Sequence, residues 1–269
     1  MKILNRFLYK TRKFYGDDFD WDTYTETSYA RRLKVVDKDY STIAPDGTLT
    51  FDPETGSVGG CNPPLHPNIV LLLEAIGQLQ PASVHEVGCG GGDHVSNGSR
   101  LYPEIRYSGS DRSQGQLDLL HERHPNLKAD ITLQDLTMPY SENWPRADLV
   151  YSQAVIMHIH TAVSHLVALS NMFRMADKYV LLVENILCHD FVAEIQGLHA
   201  GGHTGWDALH LYQFKGSAGS WCILASKEPL DYTPLKSDAQ IREGVPPSDR
   251  LSKRAKEDFE RATFGPANA

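Results

Sequence analysis

Between residues 83 and 185, five short apolar runs alternate with stretches of helical character: SVHEVG (83–88), RYSGSD (106–111), ADITLQD (129–135), ADLVYSQ (147–153) and KYVLLVEN (178–185). Helical candidates fall around residues 93–102, 113–123 and 161–175. Ahead of the first run, HPNIVLLLEAIGQLQP (66–81) places Ile69, Leu72, Leu73, Ile76 and Leu79 on one helical face, with Pro67 suited to a first turn. Neighbouring parallel strands need crossover connections of about a dozen residues or more, and helices of this length supply them. The pattern predicts an α/β fold of the doubly wound type, a mostly parallel sheet covered on both faces. Two later runs, ALHLYQFK (208–215) and SWCILASK (220–227), flank the turn residues 216–219 and read as a hairpin, which would give that sheet an antiparallel edge.

In an open α/β sheet, ligands bind beyond the carboxyl ends of the strands. The first such end here is HEVGCGGGDH, residues 85–94. Its glycines permit positive φ and close approach of a ligand to the backbone. A triphosphate-binding loop requires Lys and Ser or Thr after its last glycine, whereas Asp93 and His94 follow Gly92. The spacing also lacks the third glycine of a nicotinamide-binding turn, and Glu86 would repel a pyrophosphate. The same carboxylate would attract an ammonium group.

On Glu86, Gly88, Gly90 and Gly92 the loop resembles the E/DxGxGxG first motif of class I S-adenosylmethionine-dependent methyltransferases. The resemblance covers roughly residues 66–227 and is closest to bacterial small-molecule or glycan O-methyltransferases. It implies a Rossmann-like, seven-stranded sheet and S-adenosyl-L-methionine as cofactor. By the same resemblance, Glu86, Gly88, Cys89 and Gly90 surround the methionine end. Asp111, with Arg112 beside it, ends the second strand where the family accepts from both ribose hydroxyls, and a carboxylate has two oxygens for two donors. Asp135 and Leu136 match the residues that hold adenine, while Ser152, Gln153 and Ala154 border the methionine moiety and the transferable methyl. Asp111 as a helix cap and Asp135 as a turn residue are the structural alternatives.

Methyl transfer from a sulfonium is an in-line displacement, and a hydroxyl nucleophile needs a base. Candidates after the fourth and fifth strands are His158, His160, Glu184 and His189. Imidazole titrates near neutrality, which suits His158 or His160 to that work. Glu184–Asn185 superficially matches the acid-Asn pair of metal-dependent catechol-type methyltransferases. Ser152-Gln153 stands where that family needs Asp, so no metal is expected. The glycine-rich segment 197–212 carries His199, His203, Trp206 and Asp207, groups suited to a polyhydroxylated acceptor. The expected activity is O-methylation of a small molecule or saccharide. N-methylation of an amine or peptide and a cofactor-binding scaffold without turnover stand as alternatives.

A net charge of −8 argues against a nucleic-acid partner. The four cysteines form no CxxC pair, which fits reduced thiols in a cytoplasmic protein. Residues 1–15 fit a short amphipathic helix of apolar and basic residues, without the continuous apolar stretch of a secretory signal. Docking on the chain's own surface and weak peripheral contact with an anionic membrane are its two readings. The expected organisation is an N-terminal extension or lid (1–65), a cofactor-binding domain (66–228) and a polar tail (229–269) with a helix near 248–262.

Overall fold

The computed structural model describes residue 25 and residues 42–44, 48–62, 64–160, 162–186, 188–237 and 240. The helices expected over residues 1–15 and 248–262 lie outside the described residues. A short antiparallel hairpin, β1 (Thr50–Asp52) and β2 (Ser57–Gly59), precedes α1 (Pro67–Leu79). Then follow β3 (Ser83–Val87), α2 (Asp93–Leu101), β4 (Arg106–Asp111), α3 (Gln114–Arg123), β5 (Asp130–Leu133) and β6 (Ala147–Gln153). A 3₁₀ turn (Ile156–His158) leads to α4 (Ser164–Met175), β7 (Ala176–Val183), α5 (Phe191–Ala200), β8 (His210–Lys215), β9 (Trp221–Ser226) and β10 (Thr233–Pro234).

The main sheet has eight strands in the order β10-β8-β9-β7-β6-β3-β4-β5. Strands β3 to β7 are parallel, and β9, β8 and β10 add antiparallel pairs beyond β7. This is the Rossmann-like architecture, with one strand more than the seven expected. The extra strand has only two residues. Leu235, buried just beyond it, and Tyr232, packed edge-on against Tyr212 and Phe214, draw the start of the polar tail onto β8.

Alternation along the strands separates two cores. Leu149, Tyr151, Leu181 and Val183 join Leu72, Ile76, Val95 and Leu120 on the face covered by α1, α2 and α3. Val150, Val180 and Leu182 face the other way, onto Leu169, Phe173, Val192 and Ile195 of α4 and α5. The period of two thus places helices on both faces. Helix starts follow local chemistry: the His66 ring accepts from the Asn68 N–H with Pro67 in the first turn, and Ser113 Oγ accepts from the Gln116 N–H.

Sequence order reverses at β3, which lies between β4 and β6. The carboxyl ends of β3 and β6 are therefore the place where an open sheet of this kind binds ligands. The segment preceding α1 packs on the same unit. Asn97 accepts from the Ala44 N–H at 3.0 Å and donates to Thr42 O, and Arg100 donates to Ala44 O at 2.6 Å. The buried Glu74 carboxylate of α1 accepts from the N–H of Val58 at 3.1 Å and from the N–H of Ser217 at 2.9 Å.

Candidate active site

The glycine loop is pinned to the neighbouring strand. The N–H groups of Gly88 and Cys89 both donate to Ser110 O, at 2.7 and 3.0 Å, and Gly90 N–H donates to Asp111 Oδ2 at 2.9 Å. Two glycines are sterically required. Gly88 has φ +68° and a Cβ there would lie 2.4 Å from Val155; Gly92 has φ +79° and its Cβ would lie 2.6 Å from Leu120. Gly88 lets the loop close against the segment after β6, and Gly92 lets α2 start tightly over α3.

Glu86 is buried at the end of β3, with both oxygens engaged: Oε1 lies 2.7 Å from His94 Nδ1 and Oε2 accepts from Tyr151 at 2.9 Å. Burial alone would lower the His94 imidazole, but the adjacent Glu86 carboxylate overrides it and holds His94 above its ordinary value. Burial, then the Glu86 charge, pushes the Tyr151 hydroxyl well up, so it stays a donor. Cys89 is buried in the loop, and burial followed by the charges of Glu86 and Asp111 drives its thiol well up, leaving it protonated and unreactive.

Asp111 ends β4 with its carboxylate buried. Oδ1 accepts from the Ser113 N–H at 2.9 Å, opposite the bond from Gly90 to Oδ2. Burial raises this carboxyl above its ordinary value, against the pull of the two N–H donors. Each oxygen retains acceptor capacity beyond those bonds. Arg112 beside it is exposed. Half-buried Asp135, after β5, accepts from the N–H and hydroxyl of Thr137, at 2.9 and 2.7 Å through Oδ1. The Leu136 carbonyl accepts from Asn171 Nδ2 at 2.7 Å, which fixes this turn from α4.

At the end of β6, Ser152 is fully buried and donates to Glu184 Oε1 at 2.7 Å, while Gln153 hydrogen-bonds the His94 side chain. Ala154 follows with φ +55°, a left-handed backbone for a residue with a Cβ, of the kind that collects at binding sites. Glu184 sits after β7 with its carboxylate turned to this segment. It accepts from the N–H groups of Val155 (3.1 Å), Ile156 (3.2 Å) and Met157 (3.1 Å) as well as from Ser152. Burial raises this carboxyl, and the four donors oppose that shift. His158 and His160 stand on the exposed side of the turn that Glu184 caps.

Glu86, Asp111, the glycine loop, Ser152 and Gln153 are thus joined at one sheet edge, with the Asp135–Leu136 turn one strand beyond Asp111. His158 and His160 border the same edge. In the segment 197–212, α5 runs to Ala200 and His203 and Asp207 are exposed, but Trp206 is buried, its indole N–H donating to Phe173 O at 2.9 Å. Trp206 plugs the core. His94, Tyr151, Asn171 and Gln116 are site-supporting residues that sequence reasoning missed. For His94 a signal existed, since a His eight positions after an acidic residue, at the first helical turn, comes back over the strand end.

Glu184→Ala is expected to lower stability by about 3 kcal/mol, because four donors lose one buried acceptor. Urea unfolding of the variant measures this; a midpoint equal to wild type would refute the role of Glu184 as the cap.

The set of acceptors fits a nucleoside sulfonium cofactor. Two buried carboxylates beside a glycine loop offer acceptors to hydroxyl and ammonium donors, and would repel a phosphate. Residues 84–178 match a family model described as a methyltransferase domain. No curated protein matches the chain. Among solved structures it is similar to the magnesium protoporphyrin IX methyltransferase of Synechocystis with bound S-adenosylhomocysteine, at 16% identity and TM-score 0.48, covering 77% of this chain and 98% of that one. It is also similar to the N-methyltransferase NodS of Bradyrhizobium japonicum, at 17% identity and TM-score 0.41, covering 59% of this chain and 83% of that one. A sugar N-methyltransferase from Streptoalloteichus is similar at 13% identity and TM-score 0.37, covering 43% of this chain and 47% of that one.

Proposed function

We propose that the chain, whose residues 84–178 match a methyltransferase domain, is a class I S-adenosylmethionine-dependent methyltransferase that uses S-adenosylmethionine as cofactor and O-methylates a hydroxyl of a small molecule or saccharide. The observation that supports a hydroxyl acceptor is the pair of exposed imidazoles, His158 and His160, on the segment directly after Gln153 and Ala154. An amine attacks as its neutral form, whereas a hydroxyl gains from a base within reach.

When bound, the cofactor supplies an electrophilic methyl on sulfur. The protein's residues supply position and proton acceptance. Asp111 would accept from the ribose hydroxyls, the Asp135–Leu136 turn would hold adenine, and Glu86, itself fixed by Tyr151 and His94, would orient the amino acid end. Ser152 and Gln153 would border the methyl side. His158 takes the acceptor proton, with His160 as the alternative base. In this reading Glu184 acts through the backbone: it orders the turn that presents His158 and stays engaged with its four donors.

Turnover on a panel of small hydroxyl and saccharide acceptors tests the assignment. His158→Ala is expected to lower the chemical step by roughly 10²–10⁴-fold, at unchanged affinity for S-adenosylhomocysteine. Amine acceptors turned over with full rates in that variant would instead identify N-methylation. No described helix is long and apolar enough to cross a membrane.

A further inference from the structure

Behind the turn that carries His158, three metal-ligating side chains from different parts of the sequence converge. His165 is the second residue of α4, His189 lies between β7 and α5, and Glu194 is in the first turn of α5. One ligand atom from each lies within 4.8 Å of the others. The His165 and His189 rings stack with centroids 4.2 Å apart, and His165 Nε2 lies 3.1 Å from Glu194 Oε1. His160 approaches from the exposed side, its ring centroid 5.5 Å from that of His189.

A plain histidine–carboxylate pair does not account for the group. It leaves His165 Nδ1 and Glu194 Oε2 buried with no hydrogen-bond partner among the described residues. Burying a polar atom without a partner is costly, and here one from each member of the same pair is left over. Both kinds of atom are metal ligands.

We propose that His165, His189 and Glu194 bind a divalent transition-metal ion of the zinc, manganese, cobalt or iron class. Two imidazoles and one carboxylate suit these ions, whereas magnesium and calcium favour all-oxygen sites. Three protein ligands leave coordination positions for water or an acceptor oxygen. The site adjoins the proposed acceptor side, because His189 Nε2 lies 3.2 Å from the Ile156 carbonyl, at the start of the turn that ends in His158. Ion binding stands on these side chains alone, and the placement of the ion beside an acceptor rests on the methyl-transfer reading.

The untagged full chain, stripped with chelator, is titrated calorimetrically with zinc and with magnesium, and with cobalt followed by visible absorption. Saturable zinc binding well above magnesium is expected, together with a cobalt spectrum of nitrogen and oxygen coordination. Glu194→Gln and His165→Ala should each weaken zinc binding by at least about tenfold, with S-adenosylhomocysteine affinity unchanged as the check on folding. Wild-type affinity for zinc in both variants, or magnesium bound more tightly than zinc, would overturn the proposal. Loss of S-adenosylhomocysteine binding by the wild type would overturn the methyl-transfer reading and leave the metal titration to be judged separately.

Discussion

Asp111→Ala is expected to weaken S-adenosylhomocysteine binding by roughly a hundredfold or more, measured by calorimetry. As the proposed ribose acceptor, Asp111 would contribute two hydrogen bonds to a charged group, each worth about 1.5–3 kcal/mol. Their joint loss corresponds to a factor of about 10²–10⁴. The same carboxylate also accepts from the Gly90 and Ser113 N–H groups, so its removal releases the glycine loop from β4. Asp111→Asn retains one acceptor oxygen and should fall between wild type and Ala. Unchanged affinity in Asp111→Ala, with the fold intact by circular dichroism, would remove Asp111 from the cofactor site.

The second large effect concerns acid stability. His85 is fully buried in β3, its Nδ1 2.8 Å from Ser108 Oγ and its Nε2 3.0 Å from Ser110 Oγ. Burial pulls this imidazole down to about 3 from an ordinary 6.5. Between those values the unfolded chain binds a proton that the native state refuses, so stability falls as pH falls through the window. The slope is about 1.4 kcal/mol per pH unit, so roughly 2 kcal/mol of stability is lost between pH 7 and pH 5 through His85. His189, pulled to about 4 by burial and then by His165, acts in the same direction. His94 opposes them, since its raised value favours the native state below neutrality. The difference between wild type and His85→Gln isolates one term. Urea unfolding at pH 7 and pH 5 should show the variant losing about 2 kcal/mol less than wild type; parallel losses would refute the prediction.

The strands and the residues at their ends were legible because each signal is local. RYSGSD and ADLVYSQ are short strand-like runs ending in residues with chemistry, and the observed strands Arg106–Asp111 and Ala147–Gln153 end there too. Partners distant in sequence were not legible. Nothing in ADLVYSQ says that Tyr151 donates to Glu86, because the contact depends on β6 lying beside β3. Glu184–Asn185 resembles a metal-binding pair in sequence, yet the Glu184 carboxylate faces three consecutive N–H groups of a turn. Trp206 stands among glycines and polar residues, and only the approach of α4 to β7 reveals that its indole fills the space between them. The His165, His189 and Glu194 cluster has no sequence spacing to announce it, being assembled by two connections that return to the same sheet edge.

Thr25, far ahead of the first strand, is buried and its hydroxyl accepts from Gln116 Nε2 at 2.7 Å. The Gln116 side chain in turn lies over Gly90, where a Cβ would come within 3.1 Å of its Oε1. A fragment begun at residue 42 would retain the ten strands of the described residues while exposing Gln116 on the inner flank of the glycine loop. Recombinant fragments meant to retain native cofactor affinity should therefore begin upstream of Thr25, since a boundary chosen from the sheet alone would produce a folded protein with an altered binding loop.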